Sequence, residues 1–466
     1  VWLPWVLGVA AGLVPALGTS GPARAETPWD LLPYQVELWI GAVDDPAAAR
    51  ALSAQWIQEL AKDLDHRIAP LWKYSIQLLP TKEGIQFLRD GVLPERSWPE
   101  TWRQVEHPDK AIVVTIGRDS SGRFLLSSRE FDVRSRSWGP RVVRRAPIAT
   151  LVSQALFEVV WEAFCPNARL VTLDLETKRA ELQVRGVALK ARDPALQVVS
   201  EGQVFRPWIR YNDRLGRPVR INDIPFTFLR VEAVNQPLVS ARLHTAFRSP
   251  LSARRRGRVE QLLVATRPYL ESTRLLLRDR TQPQQPLRGY QLYQQSPGIE
   301  KTRFLGVSND VGAVLVPASS DTLQILWIKN GQLPLARLPL VPGSVDEIAA
   351  ELPNDDERLE AEAYVLGLQE ELLELVTRRQ ILMARINRLL AEGQRDRARQ
   401  LLEQLRALPT VDQFRRHLLL NRRRLISPDP LTQKRIDQMF AKTEELIKSY
   451  LDPEPIEALA ARVAGR

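Results

Sequence analysis

The sequence predicts a multidomain α+β chain: an N-terminal α/β sandwich module, a β-rich middle with a small β-sandwich, and a C-terminal α-helical tail. Three observations predict it. Strand-like and helix-like apolar periods alternate over the first third of the chain. Short apolar runs divided by Gly, Pro and Asn-Asp turns fill the middle. From Asp355 onward the apolar residues recur at helical spacing. With 466 residues and 44% apolar composition, the chain has enough material for about three cores.

Residues 1–17 form an almost uncharged apolar run, and Ala23-Arg24-Ala25 has the small-x-small form of a signal-peptidase site. The expectation is a secretory signal peptide over 1–25, cut after Ala25, although no Lys or Arg precedes the apolar run. The alternative is a retained anchor, but Pro4 and Pro15 interrupt the run and it falls short of the roughly 20 residues of a span. No Cys lies near the cut, which disfavours a lipid-anchored form. No second apolar stretch reaches spanning length, so the mature chain is expected not to cross a membrane. The expected location is the periplasm or cell envelope.

Residues 26–192 read as an α+β module. Over 34–43, Val36, Leu38 and Ile40 alternate with Glu37 and Trp39, as in a strand. Asp45-Pro46 supplies an N-cap and a first helical turn, and Leu52, Trp56, Leu60 and Leu64 give the helix one apolar stripe. Residues 72–79 form a second strand, and the unbroken apolar run 111–116 suits a central one. The Arg118-Asp119-Ser120-Ser121-Gly122 turn leads into a hairpin partner over 123–133. A helix carrying Val152, Leu156, Val159 and Val160 should then pack on the sheet, giving an α+β sandwich and not a doubly wound sheet.

Residues 193–270 read as a basic β-rich module, with strands near 182–189, 197–209, 217–221, 226–233 and 238–247 spanning its start. Residues 271–343 read as a β-sandwich of short, regularly spaced strands. Asn330-Gly331 marks a hairpin, as a type I′ turn needs positive φ at both central residues. The run Leu305-Gly306-Val307-Ser308-Asn309-Asp310-Val311-Gly312-Ala313-Val314 is strand, polar turn, glycine, strand. Through it, residues 289–343 resemble the carboxypeptidase-regulatory or PEGA-like β-sandwich modules of exported bacterial proteins. That resemblance implies a non-catalytic spacer or adhesion unit.

Residues 344–354 read as a polar linker, and 355–466 as a helical module of coiled-coil or helical-hairpin type. Leu359, Ala363, Leu366, Leu373, Val376, Leu382, Ile386 and Leu389 keep helical spacing on a helix whose first half is acidic and second half arginine-rich. Ala384, Gly393, Ala398, Leu402 and Leu405, with Pro409 as a stop, resemble one tetratricopeptide-type hairpin. A further helix follows over 431–451.

The sequence holds no P-loop, no nucleophile elbow, no His-Glu-x-x-His and no Gly-x-Gly-x-x-Gly. Its four histidines, His66, His107, His244 and His417, are scattered, and Cys165 is the single cysteine. No disulfide within the chain, no metal site and no cofactor is therefore expected. Asp63-Leu64-Asp65-His66 lies at a helix end, where i and i+2 residues do not share a face, so it reads as solvated surface. No catalytic residue is assigned.

The formal net charge is +10, and residues 184–303 carry 22 Lys/Arg against 9 Asp/Glu. The 355–466 segment is balanced, with 20 basic and 19 acidic residues. Arg254, Arg255, Arg256 and Arg258 are the candidate polyanion-binding residues, with Phe205, Trp208, Tyr211 and Phe247 interleaved nearby. The expected partner is an envelope protein or an anionic polymer. Nucleic acid is disfavoured by export, and the oligomeric state stays open. The reading is a non-catalytic exported binding or scaffold protein of the cell envelope, acting through protein contacts. Two alternatives stand beside it: an exported hydrolase with an unrecognised carboxylate site, and a polyanion binder working through 184–303.

Overall fold

A computed structural model describes residues 28–43, 46–99, 102, 108–215, 217–248, 250–251 and 258–465. The expected signal cleavage at Ala23 and Ala25 lies outside the described residues, as do Asp45, His107, Arg254, Arg255 and Arg256. Among the described residues no helix is long and apolar enough to cross a membrane.

In the first sheet β1 (Tyr34–Ala42) lies between β2 (Trp72–Leu78) and β3 (Lys110–Arg118), parallel to both. β3 then turns back through β4 (Phe124–Asp132) and β5 (Ser137–Ala146), giving the order β2-β1-β3-β4-β5. The helix over 46–68 uses Leu52, Trp56, Leu60 and Leu64 to cover one face, together with the Val152–Ala163 helix. A helix at Thr81–Asp90 covers the other, placing Phe87 against Leu79, Val113 and Phe131. The expected α+β sandwich is thereby corrected to a sheet with a parallel part and helices on both faces. The Thr81–Asp90 helix is ten residues long, and its buried side holds Gly84 and Phe87 with Leu88 half-buried beside them.

Seven strands follow: β6 (Asn167–Asp174), β7 (Arg179–Val184), β8 (Val204–Asn212), β9 (Pro218–Asp223), β10 (Thr227–Asn235), β11 (Leu238–Thr245) and β12 (Val259–Thr266). Their order is β10-β11-β7-β6-β12-β8-β9, and a β10–β8 pairing closes the sheet on itself as a barrel. β6 and β7 belong to this barrel, so the expected boundary at 192 falls inside it. The barrel interior, with Leu182, Phe205, Leu229 and Leu263, is continuous with the core of the first module.

The next seven strands form two facing sheets. One holds β16 (Ala313–Pro317), β13 (Ser272–Asp279) and β19 (Glu347–Leu352). The other holds β15 (Arg303–Val307), β14 (Gln291–Gln295), β17 (Gln324–Asn330) and β18 (Leu333–Leu340). Leu275, Leu277, Leu292, Val316, Ile328 and Leu352 share the core between them. The expected linker 344–354 is corrected here: it contains β19, which pairs parallel to β13 and buries Ala350 and Leu352. The β17–β18 hairpin sits one residue away from the expected turn. Asn330 pairs with Leu333, so Gly331 and Gln332 are central, and only Gly331 has positive φ (61°). Gly at the first central position is the type II′ arrangement and not type I′.

The tail runs through helices Asp356–Ala391, Arg395–Arg406, Val411–Arg424, Pro430–Tyr450 and Glu454–Ala464. The first half of the long helix packs Leu368, Leu372 and Leu375 against Phe414, Ile436 and Phe440. Its second half packs Leu382 and Ile386 against Ala398, Leu402 and Leu459. The tail is tied to the sandwich at its root. The backbone N–H of Asp355 donates to Tyr290 Oη (2.8 Å), Arg358 donates to Asn330 O (3.0 Å), and Arg280 pairs with Asp429 at 2.5 Å.

Candidate functional site: contact surfaces and a closed charge cluster

The densest titratable cluster lies where β3 begins and β4 ends. The antiparallel register sets Lys110 opposite Asp132 and Ile112 opposite Glu130, so Lys110, Glu130 and Asp132 share one face. Lys110 Nζ lies 2.7 Å from Glu130, 2.8 Å from Asp132, 2.7 Å from Asn167 Oδ1 and 2.6 Å from Cys165 O. The second oxygen of Glu130 accepts from the Cys165 N–H (2.7 Å), and that of Asp132 accepts from Ser135. All three charged side chains are buried.

Burial works against the Lys110 ammonium, but Asp132 and Glu130 outweigh it and hold its pKa above the ordinary value. Burial likewise opposes ionisation of Asp132, yet Lys110 and Ser135 hold it below the carboxylate range. Glu130 is pushed up to about 7 by burial, against the pull of Lys110. Each carboxylate oxygen of Glu130 and Asp132 already accepts from a donor, so the cluster ties the exit of the Val152–Ala163 helix to the sheet.

A cleft of about 300 Å³ adjoins it where the first module, the barrel and the sandwich meet, lined in part by Arg129, Trp138, Arg206, Arg267 and Tyr269. Glu130 and Asp132 reach its wall only with side chains that are 1% and 2% exposed.

The remaining chemistry-bearing residues stay apart. Among the described residues no group of three or more His, Cys, Asp or Glu is placed to hold a metal. His66 and His417 are exposed, whereas His244 is buried in the barrel wall. Burial, with Arg337 and Arg242 nearby, lowers the His244 pKa to about 4. Cys165 is buried and its thiol is pushed up to about 12 by burial, which leaves it a packed side chain and not a nucleophile.

Of the four candidate arginines, Arg258 is described, and it is exposed. Its carbonyl accepts from Asn212 N–H (2.8 Å), and Val259 pairs with Tyr211, so it lies beside the β8–β9 hairpin. That hairpin exposes Arg214 and Arg217, with Leu215 75% and Val219 73% exposed. The Asp213 carboxylate is spent on the turn, accepting from the N–H of Leu215 and Arg217 (2.8 and 2.9 Å). Among the described residues no ion pair engages Arg214, Arg217 or Arg258. The expected aromatic set splits: Phe205 is core and Trp208 half-buried, while Tyr211 and Phe247 are exposed.

The long helix presents a second surface. At 3.6 residues per turn, Ala361, Val365, Leu368, Leu372, Leu375, Leu382 and Ile386 fall on one face, and all are buried. Leu359, Ala363, Leu366, Leu373, Ile381 and Ala384 fall on the opposite face, and all are exposed; Leu366 is 54% and Leu373 69% exposed. The apolar list read from the sequence mixed these faces. The signal that separates them is the seven-residue step Leu359, Leu366, Leu373, half a turn away from the buried stripe.

No protein-family model matches the chain, and no curated protein sequence matches it. The resemblance of residues 289–343 to PEGA-like modules thus gains no family match. Among solved structures, the chain is similar to the crystal structure of lipoprotein GNA1162 from Neisseria meningitidis. That likeness has 12% identity and a TM-score of 0.17, over 28% of this chain and 96% of that one. It is also similar to TolB from Acinetobacter baumannii, with 12% identity and a TM-score of 0.20, over 69% of this chain and 97% of that one. At such scores neither likeness bears on the function of this chain.

Proposed function

We propose that this chain is an exported cell-envelope binding or scaffold protein that works by contact between its modules and a protein partner. One observation carries this: among the described residues, the 36-residue helix Asp356–Ala391 keeps Leu366, Leu373 and Ile381 exposed on the face opposite its buried stripe. Exposed apolar surface of this regularity costs solubility unless something binds it. Export is the reading of residues 1–25, and fusing that segment to a phosphatase active only outside the cytoplasm tests it separately.

The contact reading is tested by Leu366→Asp/Leu373→Asp. The double variant should keep wild-type circular dichroism and lose whatever the purified protein binds in an envelope extract. Equal capture by variant and wild type overturns the reading.

A second reading is favoured by the unpaired Arg214, Arg217 and Arg258 beside exposed Leu215 and Val219: binding of an anionic polymer through the basic hairpin. Arg214→Ala/Arg217→Ala/Arg258→Ala should elute from heparin at clearly lower salt than wild type. Unaltered retention removes this reading.

A further inference from the structure

We infer that the open face of the Asp356–Ala391 helix pairs with the same face of a second copy of this chain, antiparallel, about a two-fold axis beside Leu373. This rests on the docking reading of that face and names its occupant. Between Ala363 and Ala384 the order of side chains along the face is a palindrome in size: Ala363, Leu366, Leu373, Ile381, Ala384, or small, large, large, large, small; Leu359, nearer the root and beside Gly331, falls against Arg388 and stands outside it. Reversing a second helix about a point next to Leu373 sets Leu366 against Ile381, Ala363 against Ala384, and Leu373 against its own counterpart. The polar interruptions coincide as well, Glu370 falling against Thr377. A self-complementary surface of this kind is what a two-fold interface requires.

Charge decides the direction. One flank of the face carries exposed Glu360, Glu371 and Glu374 in its first half and exposed Arg378 and Arg385 in its second. Antiparallel pairing brings Glu371 to Arg378 and Glu360 to Arg385 of the other copy, with each Glu374 near an Arg378. A parallel two-fold sets this flank against the opposite one, which carries Gln369, Val376, Gln380 and Asn387, and so forms none of these glutamate–arginine pairs. The Glu360–Arg424 contact within the chain (3.2 Å) joins two exposed side chains and gives way at little cost.

The purified protein is measured by light scattering and sedimentation equilibrium. Wild type should be a dimer, and Leu373→Asp should associate at least about tenfold more weakly with unchanged circular dichroism. Glu360→Arg/Glu371→Arg and Arg378→Glu/Arg385→Glu should each be monomeric alone and form a mixed dimer when combined. Oxidising a mixture of Leu366→Cys and Ile381→Cys should give the mixed disulfide in preference to either self-disulfide, while buried Cys165 stays silent. A monomeric wild type, or a dimer indifferent to these changes, overturns the inference.

A photo-crosslinking residue at position 373, used in cells, separates the two readings. A self-crosslink supports the second copy. A crosslink only to another envelope protein removes the second copy and leaves the docking reading standing. No crosslink removes both.

Discussion

Strand β3 and the Asp356–Ala391 helix are both apolar on two sides, but they end up differently. Every residue of β3 except Arg118 is buried, with Ile112, Val114 and Ile116 under one helical layer and Ala111 and Val113 under the other. The helix fills one side with its own neighbours, and among the described residues the other side stays exposed at Leu366, Leu373 and Ile381. A two-sided apolar element inside a folded module is a structural member. The same pattern left half uncovered is the surface on which the docking proposal rests.

That contrast can be broken at four depths. The largest effect is expected at the foot of β3. Lys110→Ala leaves Glu130 and Asp132 buried without their cation and should cost about 3–5 kcal/mol. Tryptophan fluorescence during urea unfolding reports it, because residues 355–466 contain no tryptophan. On the closed side of the helix, Leu368→Ala should cost about 2–4 kcal/mol, read from helical circular dichroism.

The third effect depends on pH. His244 has a folded pKa of about 4 against an ordinary 6.5, so the unfolded chain binds the extra proton between those values. Its contribution is complete above about pH 6.5 and is lost as the pH falls through 4, by about 3 kcal/mol in all. Glu130, raised to about 7, acts with the opposite sign: its share is complete at low pH and is lost as the pH rises toward 7. His244→Phe should therefore remove only the acid-side loss, seen as a smaller drop in Tm between pH 6.5 and pH 4.5 than in wild type. The smallest effect on stability belongs to the open side of the helix. Leu366→Ser should change it by no more than about 0.5–1 kcal/mol while impairing association.

What was legible in the sequence is what is locally written. The β3 run, the Val152–Ala163 helix and the strands around Gly331 all follow from neighbouring residues. What was not legible depends on partners far along the chain. β19 looked like a linker because its partner β13 lies more than 70 residues earlier, and nothing in Glu347–Leu352 announces a parallel pairing across that distance. The Thr81–Asp90 helix did carry a one-sided apolar pattern, but over only ten residues. The basic surplus was visible as composition, but the meeting of Arg258 with Arg214 and Arg217 needs the register that sets Val259 beside Tyr211. The open helical face was present in the sequence as a second period, hidden by the stronger one it overlaps.

The root of the long helix gives that face one more property. Asp355 is held by the Tyr290 hydroxyl and Arg358 by the Asn330 carbonyl, so the helix leaves the sandwich as a clamped beam and not as a hinged arm. At 1.5 Å per residue, joining two such beams at Leu373 sets their clamps about 55 Å apart. The helix then acts as a ruler, and inserting or deleting whole heptads within it would reset the spacing of whatever the two bodies carry.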